Sequence, residues 1–205
     1  MGAGSGACQQ ITDIWRERGD FGETWHTDVY GEYGLAKNWG GTLKLDTQIR
    51  EDQNYDDRTS MEAGLQRSFA MSPRSVIAIS ASVLAGEALE GPECRGTGYE
   101  TRAGYGRSAS LGGHNAFVNV EAAFRSRGSD CERNLVEVAA GVDLTPKLHT
   151  ILKAWSETGD KARSAKIETD LLYDIGKYSA GIGYRQEVSN AFDESGIVIA
   201  VWRRF

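Results

Sequence analysis

The stretch Trp25-His26-Thr27-Asp28-Val29-Tyr30-Gly31-Glu32-Tyr33-Gly34-Leu35, followed past a short connection at Ala36-Lys37 by Trp39-Gly40-Gly41-Thr42-Leu43-Lys44-Leu45-Asp46-Thr47-Gln48-Ile49-Arg50, decides how this chain folds. Successive side chains of a strand point to opposite faces, so a half-buried strand reads as apolar and polar residues in alternation. The first run sets Trp25, Val29, Tyr33 and Leu35 against His26, Asp28 and Glu32. The second sets Trp39, Leu43, Leu45 and Ile49 against Thr42, Lys44, Asp46, Gln48 and Arg50. Two such runs around a tight connection predict a hairpin with one apolar and one charged face. The second run also has the length of a membrane strand, about 9–11 residues plus a rim.

Outward from this hairpin the same period recurs. Met61, Ala63, Leu65 and Phe69 oppose Arg58, Glu62 and Gln66, and Ile77, Ile79, Ala81 and Val83 oppose Ala78, Ser80 and Ser82. Further strands are predicted at 99–107, 116–125, 134–144, 148–156, 165–175, 178–188 and 197–205, which makes eleven in all, and no comparable stretch carries a helical period. Connections alternate in length. Those at 36–37, 70–73, 110–114, 145–146 and 176 are short, and those at 51–56, 87–96, 127–133, 157–162 and 189–195 are longer and polar. Short turns on one rim and long loops on the other mark an outer-membrane barrel, with the short rim in the periplasm. Even strand parity then requires a twelfth strand near 8–17, where Ile11 and Trp15 supply the apolar positions. The expected fold is therefore all-β: one transmembrane antiparallel up-and-down β-barrel domain of about 12 strands spanning 1–205, with 1–7 disordered.

Composition agrees with this reading and excludes others. The 205 residues suit one domain. With 40% hydrophobic and 25% charged residues and a mean hydropathy of -0.43, the chain has the bulk polarity of a water-soluble protein. The longest apolar stretch, Ser75 to Gly86, is too short for a spanning helix. A barrel turns only alternate residues to lipid, so it needs no higher average. Three prolines against 25 scattered glycines suit many strands and tight turns. A net charge of -6 excludes nucleic acid as a partner, since phosphate binding needs a basic surface. There is no P-loop, dinucleotide fingerprint or paired CxxC, and no cofactor is expected. Met1-Gly2-Ala3-Gly4-Ser5-Gly6 has neither the basic start nor the apolar core of a signal peptide, so none is expected within this chain.

The final strand, Ile197-Val198-Ile199-Ala200-Val201-Trp202-Arg203-Arg204-Phe205, resembles the closing strand of Gram-negative outer-membrane barrels. The resemblance implies that Phe205 is an assembly signal read by the barrel-assembly machinery; Arg203 departs from it, standing where the family usually has an apolar or aromatic residue. Glu32-Tyr33-Gly34-Leu35-Ala36-Lys37-Asn38-Trp39 and Leu172-Tyr173-Asp174-Ile175-Gly176-Lys177-Tyr178 resemble hairpins of a group of proteobacterial outer-membrane barrels, some associated with phenol-degradation pathways. The likeness implies a barrel fold and a place in the bacterial outer membrane, among its lipid and lipopolysaccharide, and implies no solute. Tyr33, Trp39, Phe69, Tyr105, Tyr173, Tyr178, Trp202 and Phe205 cluster toward the short-turn rim, as an interfacial aromatic belt would.

The inward face is expected to line a pore with Lys44, Asp46, Arg50, Arg58, Glu62, Glu100, Arg102, Glu121, Arg125, Glu137, Lys153, Glu168, Asp170, Arg185 and Glu187, together with Asp28 and Glu32. Two arrangements satisfy such a wall: a narrow water-filled path, or closure by ion pairs across the lumen. The inward residues Val76, Ala78, Ser80, Ser82 and Leu84 are small or apolar, leaving room for long side chains such as Glu62 and Arg102, or for an apolar track. Cys94 and Cys131 fall in neighbouring long loops and could form a disulfide, while Cys8 lacks a lipidation context. His26, His114 and His149 are scattered and define no metal site. The long loops are rich in carboxylates, among them Glu51, Asp52, Asp56, Asp57, Glu87, Glu90, Glu93, Asp130, Glu132, Glu157, Asp160, Asp193 and Glu194. Such a collar would draw cations to the mouth. The leading expectation is a small channel or passive uptake protein. The alternatives are a structural or adhesive barrel with a blocked lumen, and a lipid-directed barrel enzyme with His26 as base.

Overall fold

The computed structural model describes residues 8–19, 22–50, 57–87, 94, 96–128, 131–159, 163–189 and 194–204. Its strands are β1 (Cys8–Gly19), β2 (Gly22–Ala36), β3 (Trp39–Arg50), β4 (Arg58–Ser72), β5 (Ser75–Gly86) and β6 (Gly98–Leu111). They continue as β7 (His114–Ser126), β8 (Glu132–Asp143), β9 (Leu148–Gly159), β10 (Arg163–Ile175), β11 (Tyr178–Glu187) and β12 (Ser195–Arg204). Each strand pairs antiparallel with its neighbours in sequence, and β1 pairs with β12 through Ile11↔Trp202 and Trp15↔Val198, closing a 12-strand barrel. The strand required by parity is thus present as β1, and closure leaves no unpaired sheet edge, which a lipid environment demands.

Local chemistry explains the boundaries. Among the described residues the prolines, Pro73 and Pro146, lie in turns between strands, so neither removes a ladder hydrogen bond for want of an N–H. Tight hairpins need backbone with positive φ, supplied by Asn38 (φ 65°), by Gly112 and Gly113 (59° and 86°) and by Gly176 (65°). All four sit on the short-turn rim.

Face assignment follows the alternation. Trp25, Leu43, Leu45, Ile49, Leu65, Ile79, Val83, Ile182, Ile197 and Ile199 are exposed around the outside, whereas Leu84, Leu172, Val198 and Ala200 are buried inside. So continuous an exposed apolar wall is what lipid contact requires. Among the rim aromatics, Trp202 departs from the expected belt. Its even-numbered position turns it into the lumen, where it packs against Ile151, Leu172 and Ala200.

Candidate functional site: the charged lumen

Strand parity sends the inward side chains of twelve strands into one narrow space, where they sort into two halves. Lys44 on β3 lies 3.1 Å from Asp28 on β2 and 3.4 Å from Asp46. On β6, Arg102 donates from Nε to Glu100 Oε1 (3.0 Å) and from Nη1 to Glu121 Oε2 on β7 (2.8 Å), with Glu137 Oε2 on β8 at 3.8 Å. Arg125 on β7 donates to Glu100 Oε2 (2.9 Å) and reaches past β6 and β5 to Glu62 on β4 at 3.6 Å. The room above the small residues of β5 is therefore occupied by long polar side chains, with Arg125 as the one that meets Glu62. Asn119 Nδ2 donates to Glu121 Oε1 (2.7 Å), holding that carboxylate against the wall.

The opposite half is packed. Lys153 on β9 donates to Glu168 Oε1 on β10 (2.6 Å) and lies 2.9 Å from Asp170, while Arg185 Nε on β11 donates to Glu168 Oε2 (2.6 Å). The Arg185 guanidinium sits over the rings of Trp15 (4.1 Å) and Trp155 (4.8 Å), and Trp15 stacks on His26 with centroids 4.7 Å apart. His26 Nε2 faces Glu17 at 3.1 Å, and Lys166 bridges Glu17 (2.9 Å) to Glu194 (2.6 Å). Below this ladder lies the apolar cluster of Ile151, Leu172, Ala200 and Trp202. Glu194 stands just outside β12. Burial, against the pull of Lys166 and with the charge of Glu17 beside it, holds its carboxyl above the ordinary carboxylate range.

The two halves differ in access to water. Side-chain exposure is 0% for Glu168 and 3% for Asp170, but 33% for Lys44, 28% for Glu121 and 42% for Glu137. The most exposed of these charges are therefore Lys44, Glu121 and Glu137, while on the same side Glu100 is as buried as Asp170, with 2% of its side chain exposed. At the turn-side mouth His149 is clamped between two carboxylates, Nδ1 to Asp143 at 2.7 Å and Nε2 to Asp174 at 3.0 Å, with Asn115 and Ser179 donating to those acids. At the loop-side mouth Cys94 and Cys131 are disulfide-bonded with Cα atoms 5.6 Å apart. Beside the bond, Arg127 donates to the Gly86 and Gly96 carbonyls and to Ser60 Oγ.

The residues picked from sequence all lie on inward positions, but they do not form one lining. Lys44, Asp46, Glu62, Glu100, Arg102, Glu121, Arg125 and Glu137 gather on the accessible side, and Lys153, Glu168, Asp170 and Arg185 on the packed side. Arg50 and Arg58 sit at the loop end of the wall, and Glu187 accepts from the backbone N–H of Ser189 (2.9 Å), tied to a loop. Trp15, Glu17, Trp155 and Lys166 went unnoticed as lumen residues. Lys166 shares the parity of Glu168, which is sufficient signal; β1 is placed in the sequence by parity with Ile11 and Trp15 as its apolar positions, and the structure turns Trp15 into the lumen, together with Glu17, where it stacks on His26. Phe205 lies outside the described residues, as do Glu51, Asp52, Asp56, Glu90, Glu93, Asp130, Asp160 and Asp193 of the loop collar. Among the described residues no group of His, Cys, Asp and Glu has the arrangement of a metal site.

No protein-family model and no curated protein matches the sequence. Solved structures do match in shape. The chain superposes on the NanC porin with a TM-score of 0.68 at 9% identity, covering 95% of this chain and 100% of that one. For the KdgM porin the TM-score is 0.65 at 9% identity, with 95% and 99% covered. For the COG4313 outer membrane channel from Pseudomonas putida F1 it is 0.57 at 10% identity, with 99% and 97% covered. With the closed antiparallel topology and the apolar exterior, these likenesses define the class: the chain has the fold of an outer-membrane β-barrel protein.

Proposed function

We propose that the protein resides in the bacterial outer membrane and acts as a narrow passive channel for small hydrophilic solutes. The observation that carries this reading is the partial exposure of Lys44, Glu121 and Glu137 inside the barrel, against the full burial of Glu168, since charges left 28–42% exposed in a lumen call for water beside them. The accessible wall pairs six carboxylates (Asp28, Asp46, Glu62, Glu100, Glu121 and Glu137) with three cations (Lys44, Arg102 and Arg125). One KdgM porin structure holds an oligogalacturonate, a polyanion. The acidic excess here suits cations and neutral solutes better. In this reading the long loops face lipopolysaccharide, and the barrel-assembly machinery recognises the end at Phe205.

A second reading has its own support. Arg125 reaching Glu62 across intervening strands is a cross-lumen tie of the kind that closes a structural barrel. Planar-bilayer recording of the refolded protein separates the two: unitary conductance steps are expected of the channel, and a silent bilayer with verified insertion would establish the closed barrel.

A further inference from the structure

The basic residues of the short-turn rim are distributed in a way that permeation does not explain. Three arginines, Arg67, Arg107 and Arg203, occupy outward positions, each paired across the ladder with the first residue of a strand that has just left a turn: Trp39↔Arg67, Ser75↔Arg107 and Tyr178↔Arg203. They therefore stand at one height around the barrel. The turns beyond them add Lys37, Arg74, Lys147 and Lys177, all exposed. The carboxylates of this end, Asp143 and Asp174, are turned inward onto His149, and Glu32 faces inward beside Gly40. Among the described residues the outer surface of this rim thus carries seven basic side chains and no acid.

The arginines are also embedded among aromatic rings. The Arg67 guanidinium lies 5.2 Å from the Trp39 ring and 5.0 Å from that of Phe69, Arg203 lies 5.4 Å from Tyr178, and outward Tyr105 is two residues from Arg107. Aromatic girdles of this kind settle at the depth of the lipid headgroups. A guanidinium at that depth lies in the layer of phosphates, whose oxygens its paired N–H donors match. Bulk anions would have to reach the same depth against the bilayer, so the fitting partner is the headgroup itself.

We propose that this rim is a binding belt for anionic phospholipid headgroups in the leaflet on the turn side, anchoring and orienting the barrel by charge. The belt requires membrane insertion and is independent of whether the lumen conducts.

Trp39 is a built-in reporter of Arg67. In a Trp25→Phe background, Trp39 is the remaining outward tryptophan, because Trp15 and Trp202 pack inside the barrel and Trp155 lies under Arg185. Quenching by brominated phosphatidylglycerol and by brominated phosphatidylcholine in mixed vesicles gives the lipid preference at that spot. Phosphatidylglycerol should be favoured, and Arg67→Gln should reduce the preference about fivefold, with Arg67→Lys retaining part of it. Heat-modifiable migration on gels checks folding of each variant. An independent position comes from Tyr178→Trp in a Trp39→Phe, Trp25→Phe background, with Arg203→Gln as its test. Trp25, on the loop side, also has a guanidinium over its ring, that of Arg16 at 5.6 Å, but Arg16 is paired with Glu23, so Trp25 should show no such preference in a Trp39→Phe background. Equal quenching by both lipids at Trp39, a preference unchanged by Arg67→Gln, or the same preference at Trp25 would overturn the belt. Loss of the preference on adding inorganic phosphate, but not chloride of equal ionic strength, would show a free-phosphate site instead and overturn it as well.

Discussion

Neutralising Glu121 and Glu137 together, as Glu121→Gln/Glu137→Gln, should weaken the cation preference of the channel while leaving the barrel folded. Both carboxylates are partly water-exposed, and both lie near the single Arg102 Nη1, at 2.8 and 3.8 Å. Counting the paired groups as fully ionised, the accessible wall carries six acids and three bases, a net of -3, and the double variant leaves -1. A unit charge about 6 Å from a permeating ion contributes roughly 0.7 kcal/mol in bulk-water dielectric, and roughly half of that survives screening at 0.1 M salt. Each carboxylate thus favours a cation about twofold and disfavours an anion about twofold, so the pair should change the cation-to-anion permeability ratio by about tenfold. The effect should nearly vanish at 1 M salt, where the Debye length falls to about 3 Å. Reversal potentials under a potassium chloride gradient measure it. Glu168→Gln, on the packed side with no exposed side-chain surface, serves as the control and should leave the ratio unchanged. Anion preference in the unaltered protein, an unmoved ratio in the double variant, or an equal shift from Glu168→Gln would show that the accessible wall is not the permeation path.

Three further outcomes test the fold and its ends. Leu45→Arg or Leu65→Arg, on the exposed apolar exterior, should lower folding stability in lipid by about 2–4 kcal/mol, whereas Lys44→Gln on the inner face should still give a folded, heat-modifiable band; equal tolerance would mean the faces are reversed. The Cys94–Cys131 bond closes a separation of 37 residues, so Cys94→Ser/Cys131→Ser should cost up to about 4 kcal/mol by chain entropy and lower the melting temperature in detergent. Arg127, still bonded to Gly86, Gly96 and Ser60, should keep the loop mouth shaped and conductance steps present. Deleting Phe205 should reduce outer-membrane assembly in cells while refolding in detergent proceeds, and unimpaired assembly in cells would remove its role as a signal.

The barrel was legible because its period is short and its consequence is binary: once Leu43, Leu45 and Ile49 share a face, Lys44, Asp46 and Gln48 must share the other, whatever the neighbouring strands do. Closure was legible too, since an even strand count forces β1 into existence from a segment with only Ile11 and Trp15 to mark it. What periodicity cannot carry is reach across the lumen. Arg125 and Glu62 are separated by two intervening strands, and their meeting depends on strand stagger and on the small residues of β5 beneath them. Nor does period 2 distinguish a filled wall from an open one. Part of what it misses lies in glycines, which an alternation count passes over: a Cβ at Gly181 would run into Leu172 and one at Gly183 into Asp170, while on the other side Glu121 lies less tightly over Gly104. The bare backbone of β11 at these positions is what lets Leu172 and Asp170 of β10 lie across it and fill their side. Opposite them, Lys44, Glu121 and Glu137 remain at the edge of water. The site is therefore encoded less by the charged residues, whose inward positions parity already places, than by where side chains are missing between them.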